Sequence, residues 1–216
     1  MSNQGEPAPS LRVALAGVGA AASVWPWVFR GKRGNFWLRM TLASGALALF
    51  AVRTRPQLRR ETITVKDVEA GIVSAGGLYA IFQVGDRMAR RIMPAGAEEI
   101  EQIYRFRTLA SRPVIAALLV GVIAPSEELF WRGLVQESCA RRFGRTAGAI
   151  AAAAAYGLVH LGSGNLTLTG AASVAGGYWG GQYALHPRLG PLLVSHILWD
   201  IWIFLVQPTP GGQRLA

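Results

Sequence analysis

The sequence predicts an all-α fold: a polytopic transmembrane helical bundle of about seven spans, with a site buried among the last four helices. Three observations carry this. Of 216 residues, 51% are hydrophobic and the mean hydropathy is +0.30. Several apolar stretches approach the ~20 residues a helix needs to cross ~30 Å of hydrocarbon. The net charge of +10 comes largely from arginines flanking those stretches, where basic side chains anchor at anionic headgroups. The basic balance therefore points to a lipid bilayer as partner and not to nucleic acid. Only Lys32 and Lys66 are lysines among the 22 basic residues, a bias that with abundant Ala and Gly suggests a GC-rich, bacterial genome. Cys139 stands alone, so the chain has no intrachain disulfide and no cysteine-based metal cluster.

Residues 1–10, polar with Gly and Pro, read as a disordered tail. Residues 11–29 form the first apolar span. Trp25, Trp27 and Phe29 stand where a signal peptide would carry a small-residue cleavage site, so this span is expected to be retained. A basic turn over 30–35 leads to a second span over 36–52, with Arg39 near its start, and a basic loop follows to residue 67. Residues 68–84 make the third span. The stretch 86–112 is polar, and Ile100, Ile103, Tyr104 and Phe106 alternate with acidic and basic residues. That pattern suits an amphipathic helix lying at the membrane interface, or equally a solvated connector. Residues 113–133 form the fourth span, with Pro125 expected to kink or restart it, and 134–143 continue it outward. An alanine-rich fifth span covers 146–161 and a sixth 165–185, whose pairs Gly176/Gly180 and Gly177/Gly181 permit close helix packing. The seventh, 189–206, ends the bundle. Basic residues lie on both sides, so the positive-inside rule fixes no orientation.

The site is expected around the segment from Ala124 to Gly133, which places Glu127, Glu128 and Arg132 beside an apolar run. Charges in or near a bilayer cost roughly 2.5–3.5 kcal/mol each at mid-span on insertion scales and are rarely idle. Glu128 and Arg132 share a helical face, while Glu127 is turned about 100° away. Tyr156 and His160, then His196 and Asp200, repeat the four-residue spacing on two later spans. Burying these groups without partners is costly, so the three helices should bring them together. A carboxylate beside a neutral imidazole can hold a water and take its proton, and a second histidine can donate to the oxyanion on an attacked carbonyl. This is the inventory of a peptide hydrolase without a serine or cysteine nucleophile.

Glu127-Glu128-x-x-x-Arg132, Tyr156-x-x-x-His160 and His196-x-x-x-Asp200 follow one another in the order and rough spacing of the CAAX protease and bacteriocin-processing family, also called the Abi family. The chain resembles these intramembrane endopeptidases over about residues 113–208. The resemblance divides the chain into a tail (1–10), N-terminal helices with the connector (11–112), the catalytic core (113–208) and a C-terminal tail (209–216). It implies that Glu127 and His160 activate the water. Glu128 and Arg132 would orient the first motif, and His196 with residue 200 would stabilise the oxyanion. It implies no cofactor and no metal. Two positions depart from the family: Tyr156 stands where Phe is usual and could add a hydroxyl donor, and Asp200 stands where the prenyl-protein enzymes have Asn. An ionised Asp cannot donate to an oxyanion, so Asp200 is either kept protonated by burial or orients His196 instead, the second being the role expected.

Other readings stay open from the residues alone. A non-catalytic scaffold or immunity-type protein, or a transporter, would use the same buried polar cluster. Glu127, His160, His196 and Asp200 also form an N/O ligand set suited to a metal. Gly162-Ser163-Gly164 after His160 admits a serine protease, although Gly-Ser-Gly at a helix end reads as a turn. Trp131 and Trp199 are offered as groove-lining residues, and His186 as interfacial. The expected partners are a membrane-embedded peptide or protein substrate and the bilayer, the expected location the bacterial cytoplasmic membrane as a multi-pass protein. Removal of a leader or of a C-terminal sorting segment is the expected role.

Overall fold

The computed structural model describes residues 10–32, 35–93 and 95–206. The tails expected at 1–10 (Ser10 apart) and 209–216, with Arg33 and Gly34 of the basic turn, lie outside the described residues. Among those described there are eight helices and no strand: α1 Leu11–Arg30, α2 Phe36–Thr54, α3 Val65–Ile92, α4 Gly96–Arg105, α5 Arg112–Phe143, α6 Arg145–Ser163, α7 Leu166–Leu185 and α8 Gly190–Val206. Of these, α1, α2, α3, α5 and α6 are long and apolar enough to cross a membrane. The fold is an all-α helical bundle compatible with about seven spans.

The helix starts are written in local side chains. Ser10, Asn35 and Asn165 each accept a backbone N–H at the head of α1, α2 and α7. Thr64 and Asp67 form a capping box at the head of α3. Asp67 also takes two bonds from Arg188 at 2.7 and 3.1 Å, which fastens the α7–α8 loop to the start of α3. Gly144, at φ 87°, occupies the left-handed region that favours glycine and lets α5 turn sharply into α6. At α3 the structure departs from the expected boundary. The helix continues to Ile92, well into the polar stretch, because Asp86 is buried and pairs with Arg90 one turn later at 3.1 Å.

Of the two glycine pairs in α7, one packs. A Cβ at Gly176 would stand 2.9 Å from the Tyr156 ring and one at Gly180 would stand 3.2 Å from Gln136 Oε1, whereas Gly177 and Gly181 face open space. The close approach of α7 to α5 and α6 therefore depends on a single helical face.

The amphipathic helix falls at α4. Its apolar face is turned onto the protein: Ile100 and Tyr104 are buried. Glu99 joins it to the head of α7, accepting from Thr167 N–H at 2.8 Å and Thr167 Oγ1 at 2.6 Å, while Asn165 Nδ2 donates to the Glu99 carbonyl at 2.9 Å. The Thr167 hydroxyl, aided by the Thr167 and Leu166 amides and opposed by burial, holds the Glu99 carboxyl below its ordinary value. A lowered carboxyl contributes stability that is complete above the unfolded value, about pH 4.3, and is lost as pH falls through the folded one. The stability difference between wild type and Glu99→Gln should thus be constant near neutrality and shrink on acidification. Thermal unfolding across that pH range measures it.

Candidate active site

Pro125 has no N–H to give and its ring crowds the carbonyl one turn back. Around Pro125 the helix type changes: α5 widens into π-helical turns, Leu119–Ile123 and Glu128–Gln136, on either side of Ala124–Glu127. Such turns are frequent at functional sites. This distorted stretch carries Glu127, Glu128 and Arg132 into the middle of the bundle, where α6 supplies His160 and α8 supplies His196 and Asp200. All six are at most 6% exposed.

Tyr156 seats the first pair. Its hydroxyl donates to Glu127 Oε2 at 2.6 Å, so the additional donor offered by the sequence is used. Its backbone carbonyl lies 2.7 Å from His160 Nδ1. A carbonyl only accepts, so Nδ1 carries the hydrogen and Nε2 keeps its lone pair. One residue thereby anchors the carboxylate and fixes the imidazole tautomer. Trp25 and Phe29 close on the His160 ring edge-on, at 5.8 and 6.0 Å between centroids.

Glu128 seats the second group. Its Oε1 accepts from Arg132 Nη1 at 3.0 Å and from His196 Nδ1 at 2.7 Å. The Arg132 guanidinium lies between the rings of Tyr156 and Trp179, at 5.2 and 5.4 Å from their centroids, a cation–π arrangement strengthened by exclusion of water. Four-residue spacing brings Asp200 Oδ2 only to 3.7 Å from His196 Nε2, beyond a hydrogen bond, and it meets the other ring nitrogen. The Nδ1 contact that sets the ring belongs to Glu128, from a helix 68 positions away in sequence.

Residues 110–202 match the family model described as type II CAAX prenyl endopeptidase Rce1-like. This segment is similar to that family. No curated protein and no solved structure matches the chain. Together with its apolar helices, this similarity supports an integral, multi-pass membrane protein.

All six polar residues lie within the matched segment, but that segment does not enclose the cavity beside them alone. A cavity of about 470 Å³ reaches Glu127, Tyr156, His160, His196 and Asp200, and its walls include Phe82 and Met88 of α3 and Ile100 and Tyr104 of α4. The lining is mostly apolar. Trp199 lines it and packs on Phe82 at 4.9 Å. Trp131 does not; it is buried against Phe130 and Tyr156. His186 is exposed in the α7–α8 loop, away from the site.

Sequence reasoning missed what supports His196. Trp179 stacks on the imidazole at 4.1 Å between centroids, 25° from parallel. Trp179 Nε1 donates to Ser195 Oγ at 3.0 Å; Ser195 meets Ser74 of α3 at 2.8 Å, and Ser74 donates to Gln182 at 2.9 Å. The signal was faint: isolated hydroxyls on apolar helices, one of them next to His196. Ser163 behaves as a turn residue, its Oγ accepting from Asn165 N–H at 3.0 Å, with Gly164 left-handed at φ 74°. Ser163→Ala should leave proteolysis within about twofold of wild type, since surface changes of this kind stay within ~0.5 kcal/mol; initial rates on any cleaved substrate decide it. Among the described residues, no three His, Cys, Asp or Glu are gathered as a metal site.

Proposed function

We propose that the protein hydrolyses a peptide bond in a membrane-associated polypeptide with water activated between Glu127 and His160. The observation that carries this reading is the double contact of Tyr156. It ties up one Glu127 oxygen and one His160 nitrogen, and leaves the other oxygen and the Nε2 lone pair to receive the two hydrogens of a water in the cavity. The water oxygen attacks the carbonyl carbon and its proton passes to Glu127. When the C–N bond breaks, that proton goes to the departing amine, leaving a carboxylate and a new amino terminus.

His196 stabilises the oxyanion in this scheme. Its Nδ1–H is committed to Glu128, so Nε2 is the nitrogen that donates when the ring holds both protons. Glu128, locked by Arg132, positions His196, and Asp200 supplies charge beside Nε2. No step requires a bound metal, so chelators should leave the rate unchanged.

The apolar cavity beside the polar cluster favours a substrate that is itself membrane-embedded, and α3 and α7 present exposed apolar lining at Ile81, Met88 and Val174. Leader or C-terminal sorting segments of exported bacterial proteins are such substrates, which places the enzyme in the cytoplasmic membrane. The test is reconstitution in liposomes with a library of membrane-anchored peptides. Appearance of new termini at defined bonds supports the reading. Absence of any cleavage by folded protein contradicts it and favours a binding scaffold.

A further inference from the structure

The cavity has two faces through which a polypeptide could reach Glu127. One is the slot between α3 and α7, lined by exposed apolar side chains that would face lipid. The other is the end of the bundle where α6 turns into α7, and α4 lies across it. Ile100, Ile103 and Tyr104 of α4 line the cavity from this side, continued by Phe106.

The two ends of this covering segment are held differently. At its C-terminal end, Phe106 stacks on Phe36 at 4.0 Å and 12°, and its carbonyl accepts from Trp37 Nε1 at 2.8 Å. Both partners are buried in α2, so this end is fixed by packing. At the other end the tie is polar and partly exposed. Glu99 accepts from Thr167 N–H and Oγ1 and from Leu166 N–H at 3.3 Å, at the head of a 20-residue helix where a negative charge is favoured. Charge-assisted bonds of this kind are the stronger class, and the Glu99 side chain carries all three, beside the single neutral bond from Asn165 Nδ2 to the Glu99 carbonyl.

We propose that Glu99 is a specificity-determining residue. By latching α4 to the head of α7 it closes the aqueous end of the cavity, and it restricts the substrates reaching Glu127 to those arriving from the bilayer between α3 and α7. Neither Glu99 nor α4 belongs to the matched Rce1-like segment, so the restriction is a property of this chain's N-terminal half. It rests on the reading of the cavity as a proteolytic site for its substrate consequence, but not for the closure itself.

The experiment separates the two. In a Cys139→Ala background, Ala175→Cys places a thiol on the buried cavity wall. The rate of its modification by a charged, membrane-impermeant methanethiosulfonate is measured in lipid nanodiscs. Glu99→Ala should raise that rate about tenfold or more, and Thr167→Val, which removes one donor and keeps the helix head, should raise it less. Thermal unfolding checks that both variants remain folded. The same variants are then given one cleavable sequence in a lipid-anchored and a water-soluble form. The ratio of soluble to anchored cleavage should rise by a similar factor in Glu99→Ala. Equal labelling rates in all three proteins overturn the latch, as does faster labelling with an unchanged cleavage ratio for the substrate claim. Faster labelling with no cleavage of either peptide supports the closure and overturns the protease reading instead.

Discussion

Glu127→Gln should abolish turnover while leaving the fold intact. Glutamine keeps the volume of the side chain and its amide oxygen can still accept from the Tyr156 hydroxyl, so the buried contact at 2.6 Å survives. What is lost is the proton acceptor. General-base assistance accounts for about 10²–10⁴ in rate, so kcat should fall by at least about two orders of magnitude with KM little changed, as for a group that acts only in the transition state. His160→Ala should behave similarly, and the double variant should be scarcely worse than either single one, since the two hold the same water. Initial rates on a cleaved membrane peptide check all three.

The second large effect concerns stability. Arg132→Met should destabilise the protein by about 3–5 kcal/mol, the usual cost of leaving a buried carboxylate without its cation. Glu128 is fully buried and its Oε2 has no hydrogen-bond partner among the described residues, so without Arg132 the carboxylate keeps only the His196 Nδ1 contact. The cation–π contacts with Tyr156 and Trp179 go as well. Replacing both members, Glu128→Gln with Arg132→Met, should cost less than Arg132→Met alone, because no unpaired charge remains. Activity should nonetheless be lost in the double variant, since His196 Nδ1 no longer faces a carboxylate. Unfolding curves in nanodiscs, with proteolysis rates on the same samples, distinguish the two outcomes.

The bundle was legible because membrane helices leave long, unambiguous apolar runs, and the six polar residues were legible because charge on such runs is conspicuous. The partnerships were not. Four-residue spacing identifies which residues share a face, and it served for Glu128 with Arg132. It could not reveal the contact of His196 with Glu128 at 2.7 Å, which joins two different helices. Tyr156 illustrates the other limit: its hydroxyl was visible as a donor, but its carbonyl, which fixes the His160 tautomer, is a backbone atom that no residue pattern announces. The end of α3 was misplaced because Asp86 and Arg90 look like a loop in composition and act as a helical pair. The path of α4 depends on which element its apolar face meets, and periodicity gives the face without the partner.

The central claim is that this cavity cuts polypeptides and that Glu127 does the cutting. Mass spectrometry of protein termini in membranes from cells carrying wild type or Glu127→Gln tests it most directly, with both proteins present at equal level. The account predicts that a defined set of termini disappears in the variant and that their sequences share a membrane-proximal cut site. Identical termini in the two samples would contradict it.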